Sequence, residues 1–206
     1  PELSRGLGDV YKRQGLFRSR DLELGRDADT GGQTLYVLDL VRSLAQRPEV
    51  ERVDVVTRLV QDRRVAADYG RSVEVMAPGA RILRFPFGPK RYLRKEQLWP
   101  HLEDLADQLV YHLSQPGQEA DWIHAHYADA GFVGALVSQR LDLPLVFTGH
   151  SLGREKQRRL LAGGGDRQQI EQAYAMSRRI DAEEQALTQA DPVSYTHLTL
   201  PTTRCV

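Results

Sequence analysis

Apolar and polar positions alternate between two periods along the middle of this chain. Val37, Leu38, Val41, Leu44 and Ala45 recur at helical spacing, which predicts a helix over Leu35 to Ala45. Arg52 to Thr57 carries Val53, Val55 and Val56 and reads as a strand. Arg81 to Phe85 reads as a second strand, stopped by Pro86. Leu98, Leu102, Leu105, Leu109 and Leu113 predict one helix over Leu98 to Leu113, with Pro100 in its first turn. Trp122 to His126 is a short strand. Asp129 is expected to cap a helix that runs to about Arg140. Leu143 to Thr148 is an apolar strand, and Gln168 to Ala190 reads as one long helix. Ala162-Gly163-Gly164-Gly165 is expected as a flexible linker before it.

This alternation predicts an α/β fold, a doubly wound Rossmann-like parallel sheet. Ligands on such sheets bind beyond the carboxyl ends of the strands. The loops after Val56, Phe85, His126 and Thr148 are therefore expected to face a site, with the Gly31-Gly32 loop joining them if a strand precedes it.

Composition narrows the function classes. The 206 residues include 28 basic and 28 acidic side chains, for a formal charge of zero, which argues against a general nucleic-acid binder. Cys205 is the sole cysteine, so neither a disulfide framework nor a thiolate cluster is expected, and a reducing cytoplasm fits. No apolar run approaches the ~20 residues needed to span a bilayer. The two ends differ from the rest. Residues 1–14 and 192–206, the latter ending in VSYTHLTLPTTRCV, read as a non-native leader and tail of the kind left by translated adapter sequence. The native-like domain is then 15–191.

Candidate chemistry gathers at two loops. Asp29-Thr30-Gly31-Gly32-Gln33-Thr34 places paired glycines at a helix start, where the backbone can approach a ligand and free N–H groups favour an anion. Gln33 can donate and accept hydrogen bonds to sugar hydroxyls. The plain alternative is a helix N-terminus with a glycine turn. Thr148-Gly149-His150-Ser151-Leu152-Gly153-Arg154 brings an imidazole, a hydroxyl and a cation to a strand end. His150 could serve a reacting hydroxyl or developing charge, or be a loop histidine paired with backbone. Three basic clusters accompany these loops: Lys90, Arg91, Arg94 and Lys95; Arg154, Lys156, Arg158 and Arg159; and Arg178 with Arg179. If they converge they form a phosphate clamp; if they spread they are solvated surface. His124 and His126 share a strand face. With His150 they could make a three-histidine zinc site, the basis of a weaker zinc-hydrolase reading.

Several long stretches resemble the N-terminal domain of the sucrose-phosphate synthase family, in a bacterial, cyanobacterial style. They are Leu22 to Thr34, Arg91 to Glu96 with Leu98-Trp99-Pro100, Asp121 to Gly131, Thr148 to Arg154, and Arg178 to Glu184. The resemblance covers about residues 15–191. It implies the N-terminal, acceptor-side half of a two-domain GT-B glycosyltransferase whose C-terminal donor domain is absent. It also implies transfer of glucose from UDP-glucose to fructose 6-phosphate with retention, giving sucrose 6-phosphate and UDP. His150 would be catalytic. Gly31, Gly32, Gln33, Arg91 (where lysine is usual), His126, Ser151, Arg154, Arg178 and Arg179 would bind substrate. The partners implied are a sugar phosphate and a nucleotide sugar, with no nucleic acid, no membrane, no further cofactor and no required metal. Sucrose synthase, a relative using free fructose, usually lacks the Ser-Leu-Gly-Arg continuation after its loop histidine. Another retaining GT-B hexosyltransferase, or a sugar-phosphate-binding module without catalysis, are the alternatives.

Overall fold

The computed structural model describes residues 16–21, 32–191 and 193–195. Their contacts divide the chain into two compact units, 1–105 and 106–206.

Among the described residues, the first unit holds helix α1 (Gly32–Ala45), followed by β1 (Val53–Arg58), β2 (Val73–Ala77) and β3 (Ala80–Phe85). The sheet order is β1-β3-β2. β1 and β3 are parallel, with Val55 opposite Ile82. Val37 and Val41 of α1 cover them, so the helical stripe read from the sequence packs on Val55, Ala80 and Ile82. Arg81 holds Asp54, its register partner on β1, through two hydrogen bonds of 2.7 and 2.9 Å.

β2 departs from the expected parallel sheet, because it pairs antiparallel to β3. Pro78-Gly79 makes the hairpin, and Gly79 takes φ 73°, the left-handed conformation that glycine enters without penalty. Arg84 is buried beneath Tyr69 and donates to the carbonyls of Arg71 and Phe17 and to Glu74.

The expected helix from Leu98 starts later. Trp99–His101 forms a single 3-10 turn, and α2 (Leu102–Leu113) follows it across the boundary between the units. Pro100 has no N–H to give an α-helical ladder, which suits the tighter turn.

In the second unit, β4 (Ile123–His126), α3 (Ala128–Leu141) and β5 (Leu145–Gly149) form a parallel crossover. β6 (Val193–Tyr195), in the stretch expected as a tail, pairs parallel to β5. The residue at the N-cap of α3 is Tyr127; Asp129 lies within the first turn, its carboxylate accepting the Ala130 N–H.

After β5 come α4 (Gly153–Ala162), α5 (Arg167–Tyr174) and α6 (Met176–Gln189). The single long helix expected over Gln168 to Ala190 is thus two, broken at Ala175, which takes φ 45°. Glu171 makes the break affordable, accepting the Ser177 N–H and hydroxyl at 2.9 and 2.8 Å at the start of α6. Ile170, Met176 and Ile180 then pack together. α4 was absent from the periodicity because its apolar residues cluster at its end, as Leu160 and Leu161. Glu155 supports it, paired with Arg158 and Arg159 one turn on.

Helix α3 lies close on its neighbours through glycine. A Cβ on Gly131 would sit 2.7 Å from the Phe147 ring and 2.9 Å from Ala186 of α6. Gly131→Ala is therefore expected to destabilise the second unit by about 1–3 kcal/mol, the usual range for overpacking. Chemical denaturation would show this as a lower midpoint; an unchanged midpoint would mean that the helix can shift away freely.

Candidate functional site

The chemistry of the second unit collects at the carboxyl ends of β4 and β5. Parallel pairing sets His124 opposite Val146 and His126 opposite Thr148. Period two places His124 and His126 on one face, their ring centroids 4.1 Å apart. His124 Nε2 lies 2.7 Å from the hydroxyl of the fully buried Thr148. His126 Nδ1 meets His150 Nε2 at 3.1 Å, so one ring donates and the other accepts. His150 is 6% exposed and held by its neighbour in one orientation.

These rings bond to one another and to Thr148. Among the described residues, no three His, Cys, Asp or Glu side chains are arranged to hold a metal ion. The zinc-hydrolase reading therefore has no geometric support.

Burial lowers the His124 pKa. Burial, then the charges of His124 and His150, lowers that of His126 to about 3. Protonation of His126 thus favours the unfolded chain, in which an imidazole titrates near 6.5. Its contribution to stability is complete above that pH and is lost as pH falls towards 3. His126→Asn is expected to flatten this part of the stability profile. Urea midpoints of parent and variant between pH 7 and 4 would test it; parallel declines would refute it.

Beside the histidines lies a buried ion pair that the residue pattern did not single out. Arg179 and Glu183, one turn apart on α6, are 3% and 4% exposed and pair at 2.9 Å. Arg179 also donates to the Ser151 carbonyl and lies over the Tyr127 ring at 4.6 Å from its centroid. Its guanidinium is 3.3 Å from the Ser151 hydroxyl. Glu183 accepts the Gly153 N–H at 2.6 Å, which places a carboxylate on the N-terminus of α4. Gly153 is confined there, since a Cβ would come within 2.9 Å of Ile180.

Tyr127 takes φ 78° and ψ 168°, a region nearly restricted to glycine, between the last histidine of β4 and the start of α3. Nothing in the residue pattern signals that conformation. The i, i+4 spacing of Arg179 and Glu183 was the available signal for the pair.

The structure thus gathers His126, His150, Ser151 and Arg179 in one network. Arg154 is exposed and bonded to Glu184. Arg178 is exposed at the start of α6, with no ion pair among the described residues. In the first unit, Gly32 and Gln33 open α1, and Arg91 is exposed on the loop after β3. Gly31 lies outside the described residues. The basic clusters are not uniform: Lys95 is buried, Arg158 and Arg159 are bound to Glu155, and Arg179 is internal. An imidazole fixed as His150 is can meet a reacting hydroxyl or a developing charge without first reorienting.

Residues 31–199 match the model of the glycosyl transferase 4-like domain. The chain belongs to that glycosyltransferase family. Within it, the chain is 42% identical over 205 residues to a probable sucrose-phosphate synthase 2 of Arabidopsis thaliana, covering 87% of this chain and 20% of that one. It is 41% identical over 207 residues to the sucrose-phosphate synthase of Spinacia oleracea, with the same coverage. It spans about a fifth of the length of the curated relatives it matches. Among solved structures, a sucrose-phosphate synthase from Thermosynechococcus elongatus superposes with a TM-score of 0.61 at 26% identity, over 79% of this chain and 36% of that one. The α/β architecture is that of the N-terminal domain of a GT-B glycosyltransferase. Among the described residues, no helix is long and apolar enough to cross a membrane.

Proposed function

We propose that the chain is the acceptor-side domain of a sucrose-phosphate synthase. In this reading the enzyme transfers glucose from UDP-glucose to fructose 6-phosphate with retention, giving sucrose 6-phosphate and UDP. The observation that carries it is the identity of 41–43% with proteins of that name across 84–87% of the chain. His150 serves the reaction centre, with His126 as its hydrogen-bond partner. Ser151, Arg154 and Arg178 are the substrate-binding residues of the second unit, and Gly31, Gly32, Gln33 and Arg91 those of the first. Arg179 contributes through Ser151, whose carbonyl it holds. A sugar phosphate is a small dianion, so exposed arginines suit it better than they suit a neutral sugar. A cytoplasmic location goes with this reading, as do a nucleotide sugar and a sugar phosphate as small-molecule partners.

Calorimetric titration of the 206-residue chain with fructose 6-phosphate and with fructose tests the acceptor. The phosphate ester is expected to bind at least about tenfold more tightly, a difference of 1.4 kcal/mol. Equal affinities would refute a phosphorylated acceptor. The chain alone is expected to form no sucrose 6-phosphate.

A further inference from the structure

The loop after β3 presents Lys90 and Arg91 to solvent, yet its backbone is tied down along its length. Arg58, the last residue of β1, is 5% exposed and donates from one guanidinium nitrogen to the carbonyls of Pro89 (2.7 Å) and Arg91. The Gln61 N–H donates to the Lys90 carbonyl at 2.8 Å. The Asp62 carboxylate accepts the Tyr92 N–H at 2.9 Å. Backbone groups of four successive residues, 89–92, are thus bonded to the short stretch 58–62.

This is an unusual use of charge for an exposed loop, whose polar backbone water would ordinarily satisfy. Arg58 accepts desolvation to make these bonds, and its Nε has no partner among the described residues. The Phe87 ring, 6.0 Å away, walls it in. Asp62 is bound in turn by the backbone and side chain of Arg64. A guanidinium and a carboxylate therefore hold one loop from its two ends.

We infer that Arg58 and Asp62 are positioning residues that hold the 89–92 arm in its binding shape, so that Arg91 meets an anionic ligand from a fixed backbone. This rests on the substrate-binding role proposed for Arg91. Neither residue touches the ligand. Their effect is to spare binding the entropy of ordering four residues, leaving only the arginine side chain to be fixed.

Site-resolved trypsin digestion of the full chain tests the tether without any ligand. Cleavage after Lys90 and Arg91 is expected to be slow in the parent. It should accelerate about tenfold in Asp62→Asn and in Arg58→Lys, while cleavage after Arg158 in the second unit stays constant. Fructose 6-phosphate and inorganic phosphate are both expected to bind about tenfold more weakly to Asp62→Asn. Unchanged cleavage at the arm, or equal acceleration everywhere, would overturn the tether. Faster cleavage with undiminished affinity would overturn its part in binding. A parent that binds neither fructose 6-phosphate nor phosphate would refute the role of Arg91 instead, with the digestion result standing on its own. Should a variant fail to fold, amide exchange in the parent decides: the Tyr92 N–H is expected to be protected, and fast exchange there would sink the proposal.

Discussion

Glu183→Ala is expected to lower the stability of the second unit by about 3–5 kcal/mol, the loss typical of a buried pair broken on one side. Arg179 would keep its charge with almost no access to water and without its carboxylate. The Gly153 N–H would lose its acceptor at the same time. Burial pushes the Glu183 carboxyl above its ordinary pKa, while Arg179 and the Gly153 N–H pull it the other way. The pair is thus costly to bury and more costly to halve. Replacing both partners, as Arg179→Met with Glu183→Leu, is expected to be far milder, because no orphaned charge remains. Urea denaturation of the two single variants and the double variant closes the cycle. Losses in the single variants that simply add in the double would contradict the coupling.

The second large effect concerns turnover. The test protein is a chimera in which this chain replaces the aligned region of the Spinacia oleracea relative. There, His150→Ala is expected to lower kcat roughly 10²–10³-fold, the scale for losing one preorganised hydrogen-bonding group at a site of developing charge. The Michaelis constant for fructose 6-phosphate should move much less, since the role proposed for the group is exerted as the reaction proceeds. His126→Asn should lower kcat to a smaller extent, because it releases the ring of His150 without removing it. An intact rate in His150→Ala, or a loss confined to the Michaelis constant, would count against the assignment.

What the residue pattern revealed and what it hid follow physical lines. α1 was legible from its helical stripe, and the strands β1, β3, β4 and β5 from short runs whose apolar residues pack into the two cores. β2 was missed although Val73, Glu74 and Val75 alternate before Pro78-Gly79; its valines face outward, so no buried stripe marks it. The break at Ala175 was hidden because no glycine or proline announces it and a distant carboxylate, Glu171, supplies the cap. In the site, His126 and His150 were legible from chemistry at strand ends. The inward turn of Arg179 was not, since a basic pair on a polar helix reads as surface until its partner is known. Arg58 shows the same limit: the predicted strand stops at Thr57, yet Arg58 ends β1 buried against backbone carbonyls.

The hairpin at Pro78-Gly79 has one more result. β2 is an edge strand of its sheet among the described residues, and Val73 and Val75 stand 51% and 72% exposed on it. An edge that shows two valines to water is a template for strand addition between copies. In concentrated preparations, therefore, clumping of this protein should begin along that flank rather than at the histidines.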